Sequence, residues 1–123
     1  MDLAEFFHSD PDSFIVSAGE NIFREGAPAD SMYVLLDGSA EILLAGSVIE
    51  EAGQGSLLGE LALIDEGPRT ATVRAVTACK LVAIDRERFE RLAAQTPGFA
   101  MHVMKVMCDR LRRANRLVAA NPR

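Results

Sequence analysis

The sequence predicts a mainly β domain, an antiparallel sandwich or small barrel, with one short helix before it and two helices after it. Three observations carry that expectation. Short aliphatic or β-branched runs recur between Ser13 and Arg86, separated by glycine-bearing turns. Asp37-Gly38 sits between two such runs in "YVLLDGSAEI", a strong short-range hairpin signal. After Arg86 the apolar spacing changes from strand-like to helical.

The elements follow in order. Leu3 to His8 is a short amphipathic segment ended by "SDPD", which favours a turn. The runs "SFIVSA", "MYVLLD", "AEILLA", "SVIEEA", "TATVRAV" and "KLVAID" read as strands. Repeated strands this short suit a sandwich or barrel better than a parallel sheet. "DRERFERLAAQ" reads as one helix with Asp85 as its N-cap. Pro97 suits the first turn of a second helix, capped by Thr96 and running through "FAMHVMKVMCDRLRRANRLVAA". Within it Ala100, Met104, Met107, Leu111, Ala114 and Val118 are spaced 4-3-4-3-4, an a/d seam. One face of this helix can pack on the barrel while the seam meets a partner helix.

Composition bounds the function. A chain of 123 residues is one domain, with the β part over about 13–86 and the C-terminal helices over about 87–120. The net charge of -5 argues against nucleic acid as a partner. No apolar run approaches the roughly 20 residues that span a bilayer. The start "MDLAEFFHSD" lacks the basic region of a signal peptide and suggests a stand-alone protein. Cys79 and Cys108 have no CxxC spacing and read as reduced thiols of a cytoplasmic protein. His8 and His102 stand far apart, so no metal site and no Ser/His/Asp triad is expected, and the chain does not read as an enzyme.

"GELALIDEGPRTA" carries the chemistry. Gly55 and Gly59 permit a sharp turn, and Glu60 to Ile64 is long enough for one helical turn. The first amides of such a turn lack internal acceptors and carry partial positive charge, which favours an anion. Pro68 fixes the backbone before Arg69, whose planar guanidinium suits phosphate. Glu60 at the same mouth would repel phosphate, so a sugar hydroxyl is its natural partner. The combination describes a nucleotide site without a Walker lysine or a GxGxxG loop.

"GELALIDEGPRTATV" closely resembles the phosphate-binding cassette of cyclic nucleotide-binding domains. "IFREGAPADSMYVLLDGSAEI" is similar to that family's second to fourth strands, and "CKLVAIDRERFERL" to its last strand and following helix. Leu58 departs from the pattern, where many members carry an aromatic residue. The resemblance implies an eight-stranded β-roll (a jelly roll) flanked by helices, with cAMP or cGMP as ligand. It implies that Glu60 accepts the ribose 2′-hydroxyl, that amides near Gly59, Leu61 and Ala62 meet the phosphate, and that Arg69 neutralises it. Thr70 would add its amide, with its hydroxyl near the base. The last helix would close as a lid. There, Arg110 falls where some bacterial channel members set an arginine against the base, and Asn115 near where catabolite-activator members read adenine across a dimer. Alternatively, Arg110 joins Arg112, Arg113 and Arg116 as a solvated helix face.

The expected role is a cyclic-nucleotide sensor that relays binding through its last helix to an unknown effector or to a second copy in a homodimer. The alternatives are a ligand-independent dimerisation module on the same fold and, remotely, a metal enzyme on a cupin-like roll.

Overall fold

The structure is a computed structural model and describes residues 1–120. The expected eight-stranded antiparallel roll is what these residues form. α1 (Leu3–Phe6) leads into β1 (Phe14–Val16), β2 (Asn21–Phe23), β3 (Ser31–Asp37), β4 (Ala40–Leu44), β5 (Ser47–Ala52) and β6 (Leu57–Leu58). α2 (Glu60–Asp65) interrupts the strands, and β7 (Thr72–Ala75) and β8 (Cys79–Asp85) complete them. α3 (Arg86–Gln95) and α4 (Phe99–Ala120) close the chain. One sheet has the order β1-β8-β3-β6 and the other β2-β7-β4-β5. Periodicity alone missed β2 and β6, because runs of three and two residues are too short to show a period of two.

The two sheets differ in what they bury. In β3, Met32, Val34 and Leu36 face a cluster with Leu3, Phe7, Phe99 and Val103 of the helices. Leu35 of the same strand faces the roll interior with Ile42, Val73 and Leu81. β8 divides likewise, Val82 and Ile84 toward the helices and Cys79 and Leu81 inward. Both faces of these strands are covered, which is why they read as nearly continuous apolar runs. Leu58, the departure from the family pattern, simply fills the interior.

Asp37-Gly38 makes the expected β3–β4 turn. Gly38 has φ +99°, and a Cβ there would sit 2.3 Å from the Ala78 carbonyl oxygen, so no other residue fits without movement. Asp85 caps α3 as expected, accepting from the Arg88 N–H at 2.8 Å. The start of α4 is a correction. Thr96 closes α3 by donating its N–H to Leu92, and α4 begins only at Phe99. Gly98 at φ +86° cannot be helical, so Pro97 belongs to the turn between the two helices.

The apolar seam expected on α4 is displaced. Met107 packs half-buried against the helix-side cluster, and Ala114 lines the cavity described below. Met104, Leu111 and Val118 of the expected seam do face outward, joined by Met101, Cys108 and Asn115 where Ala100, Met107 and Ala114 were expected. Read as 101, 104, 108, 111, 115 and 118, this stripe is spaced 3-4-3-4-3. It is still an a/d pattern, one that carries an asparagine at an a position. The sequence offered two overlapping stripes, and packing on the roll decided which one faces out.

The N-terminus is pinned to α3. Arg88 pairs with Asp10 and lies 5.3 Å from the centre of the Phe7 ring. Burial alone would raise the Asp10 carboxyl, but Arg88 and the Asp12 N–H more than offset this and hold it below its ordinary value. A carboxylate lowered in the folded state stabilises above its unfolded pKa and loses that contribution as pH falls through the folded value. Asp10→Asn is therefore expected to lower unfolding free energy at pH 7 but to leave it unchanged below about pH 2. Urea titrations across pH check this, and a gap independent of pH would contradict it.

Candidate functional site

α2 is placed by a wedge. Gly59 caps it at φ +77° with no side-chain hydrogen bond, so the first-turn amides have no side-chain acceptor. A Cβ on Gly59 would lie 2.4 Å from Nη1 of Arg69 and 3.1 Å from Cε2 of Phe23. Glycine is required here both for backbone hand and for space. The far end of the cassette is tied to the β2–β3 loop. Arg69 N–H donates to Ala27 at 2.9 Å, and Gly26 N–H donates to the Arg69 carbonyl at 2.8 Å. Both anchors precede β7, so Arg69 enters the roll from a fixed backbone.

α2, β4, β5 and the later turns of α4 enclose a cavity of about 290 Å³. Gly59, Glu60, Leu61, Ala62, Arg69, Thr70 and Arg110 all line it, as expected. Asn115 does not. On a helix at about 100° per residue it points well away from the face shared by Arg110, Ala114 and Leu117. Ile49, Leu44 and Leu117 give the cavity an apolar wall that motif reasoning did not supply.

Two arginines border the cavity in opposite electrostatic situations. Arg110 is compensated. Its guanidinium pairs with Glu60, lies 3.1 Å from Glu50 Oε2 and donates to the Leu57 carbonyl at 2.7 Å. Burial pulls its pKa down, but Glu60 and Glu50 outweigh that and raise it. Arg113 adds a second pair to Glu50 at 2.9 Å. The solvated-face reading therefore fails for Arg110, while Arg113 stays exposed although it pairs with Glu50. Arg112 keeps it, exposed and 3.7 Å from Asp109.

Arg69 is buried to 4% exposure, and no carboxylate among the described residues forms an ion pair with it. Its side chain makes one hydrogen bond, from Nη1 to the Gly59 carbonyl at 3.3 Å, and its Nε has no partner. The guanidinium lies 4.1 Å from the Phe23 ring centre and 5.6 Å from that of Tyr33. Burial lowers its pKa, with Tyr33 and Asp30 offsetting this only in part. A guanidinium stays protonated in such surroundings. The cavity thus contains a fixed, uncompensated positive charge beside uncapped amides, with a carboxylate across from it.

Sequence reasoning missed Glu50, Arg113 and Phe23. Glu50 had a readable signal, since it shares the inward face of β5 with buried Ala52. Phe23 had none, because nothing local says which ring a distant arginine will meet. Among the described residues no group of three or more His, Cys, Asp or Glu could hold a metal ion, and no helix is long and apolar enough to cross a membrane.

Residues 14–96 match the cyclic nucleotide-binding domain family. The chain belongs to that family. It is similar to lysophospholipase nte1 of Aspergillus oryzae, 35% identical over 102 residues that cover 79% of this chain and 7% of the relative. It is similar to the CRP-like cAMP-activated global transcriptional regulator of Mycobacterium tuberculosis, 29% identical over 82% of this chain and 47% of the regulator. Among solved structures it is similar to PKAR CBD2 with Sp-2Cl-cAMPS bound, at a TM-score of 0.74 and 32% identity, covering 85% of this chain and 70% of the other. The chain thus spans less than half of either curated relative.

The Gly59 wedge makes a stability prediction. Gly59→Ala forces both a left-handed alanine and a displaced guanidinium. It is expected to lower unfolding free energy by at least about 1–2 kcal/mol. Urea denaturation measures it, and a loss below about 0.5 kcal/mol, the level of ordinary surface changes, would contradict the wedge.

Proposed function

We propose that this chain is a cAMP-responsive regulatory domain, with cGMP as a second ligand of the same cavity. The observation that carries the reading is Arg69, a buried cation with an unpaired Nε and no carboxylate partner among the described residues. It is supported by the family match, by the cAMP-activated relative and by the cAMP analogue in PKAR CBD2. In this reading the cyclic phosphate, with one negative charge, takes Arg69 and the amides near Gly59, Leu61, Ala62 and Thr70. The ribose 2′-hydroxyl donates to Glu60. The base lies against the apolar wall of Leu44, Ile49 and Leu117, with Thr70 and Arg110 at its polar edges. In this reading the domain acts by binding, and both carboxylates of the cavity, Glu50 and Glu60, are engaged by Arg110. Its free thiols, Cys79 and Cys108, suit the reducing cytoplasm.

Arg110 supplies the relay. It ties α4 to Glu60 of α2 and to Glu50 of β5. A ligand hydroxyl on Glu60 competes for the carboxylate that Arg110 uses, so binding changes the position of α4 preferred by the roll. That helix then acts on an effector or on a second copy of the chain.

Calorimetry with cAMP and cGMP tests the reading. Saturable binding of cAMP is expected, and Arg69→Ala should weaken it several hundred-fold, from a loss on the order of 3–5 kcal/mol. Undetectable heat with both nucleotides at high micromolar concentration would overturn it.

The exposed stripe on α4 favours a second reading, in which the roll is a ligand-independent carrier for a dimerising helix. Asn115 at an a position would then set a parallel register. Light scattering should show a dimer that Leu111→Lys dissolves. A melting temperature unmoved by saturating nucleotide favours this reading over the sensor.

A further inference from the structure

The Arg69 charge raises a structural question that the family match leaves open. A guanidinium buried in a cavity must be held in place by something. The usual holder is a carboxylate, and the same cavity contains an example in Arg110, bound by Glu60 and Glu50. A carboxylate would hold Arg69 equally well, but it would compete with any incoming anion. Asp30 is exposed and makes no ion pair with Arg69. What touches the guanidinium, besides the Gly59 carbonyl that accepts from Nη1, is an aromatic ring.

We propose that Phe23, backed by Tyr33, is a positioning residue for the anion site, holding the Arg69 guanidinium without neutralising it. This rests on the reading that Arg69 takes the ligand phosphate. The ring of Phe23 lies 4.1 Å below the guanidinium carbon. Tyr33 stacks beside Phe23 at 6.0 Å and 22°, and Phe14 meets Tyr33 edge-on at 6.0 Å and 73°. The three rings form a buttressed shelf. At the edge of the shelf stands the Gly59 backbone, where even a Cβ would collide with Nη1 and press on the Phe23 ring edge at 3.1 Å. Ring edge and guanidinium thus share the space that a glycine leaves open.

The choice of a ring has a chemical consequence. The negative face of an aromatic quadrupole attracts a cation, most strongly out of water. It has no net charge, so it attracts Arg69 and leaves the full positive charge available to an anion. It also offers no hydrogen-bond acceptor in the ring plane, which leaves Nε unpaired. Leucine at position 23 would fill similar space without the quadrupole. Phe23 is half-buried and packs on the edge of the interior cluster without being one of its buried members, so leucine keeps most of that contact.

Cyclic-nucleotide calorimetry on wild type, Phe23→Leu and Phe23→Tyr tests the proposal, together with the NMR signal of the Arg69 Nε–H in the free proteins. Phe23→Leu is expected to weaken cAMP binding about tenfold. It should also move the Nε–H signal downfield as the ring current is lost. Phe23→Tyr keeps the π face and should stay within about twofold of wild type. Leucine binding as tightly as phenylalanine, or tyrosine losing as much as leucine, would overturn the shelf, since a purely space-filling role does not distinguish rings in this way. If wild type binds no cyclic nucleotide, the functional reading fails and inorganic phosphate decides the shelf. A phosphate-induced shift of the Arg69 Nε–H in wild type that is lost in Phe23→Leu supports it. An equal response in both proteins, or a response in neither, overturns it.

Discussion

A guanidinium taken out of water without a counter-charge costs a folded protein several kcal/mol in solvation. Arg69 is such a group: among the described residues nothing accepts from its buried Nε and no carboxylate is in ion-pair contact with it. In the proposed reading, the unpaired donor is where the negative group of a ligand binds. The other polar features of the cavity, the uncapped turn of α2 and the inward carboxylates, take their meaning from that charge.

The roll exists to hold Arg69 and its surroundings in register. β3 and β8 bury both faces, joining the interior to the helix-side cluster, so α1, α3 and α4 share a foundation with the sheets. The cassette is pinned at both ends, by the Gly59 wedge and by the backbone pairs between Arg69 and the β2–β3 loop. α4 reaches the same cavity by a different means, a guanidinium shared by two carboxylates. One arginine is therefore neutralised from within and bridges elements, while the other has no ion-pair partner among the described residues. In the proposed reading, this division is what lets one cavity both take an anion and couple to α4.

Much of this was legible in the chain. The cassette's glycines, proline and arginine are local signals with local causes, and the structure gathers Gly59 to Ala62, Arg69 and Thr70 at one cavity. The β3–β4 hairpin and the Asp85 cap were legible for the same reason. What escaped depends on distant pairing. Phe23 meets Arg69 through a register that no spacing reveals. Arg110 could not be assigned between solvent and cavity without knowing that Glu50 and Glu60 converge on it. Alternate positions of the α4 stripe were placed one residue early because Met107 and Ala114 turn toward the roll. Thr96 and Pro97 looked like a helix start, but a positive φ at Gly98 moves the start to Phe99.

The central claim is that the buried charge at Arg69 is the anchor of an anionic ligand. The most direct measurement is a crystal structure of the protein grown with cAMP. It should place a phosphate oxygen within hydrogen-bond distance of the Arg69 Nε, with the guanidinium still on the Phe23 ring. A nucleotide seated in the cavity with that nitrogen still unpaired, or a nucleotide bound elsewhere, would contradict the account.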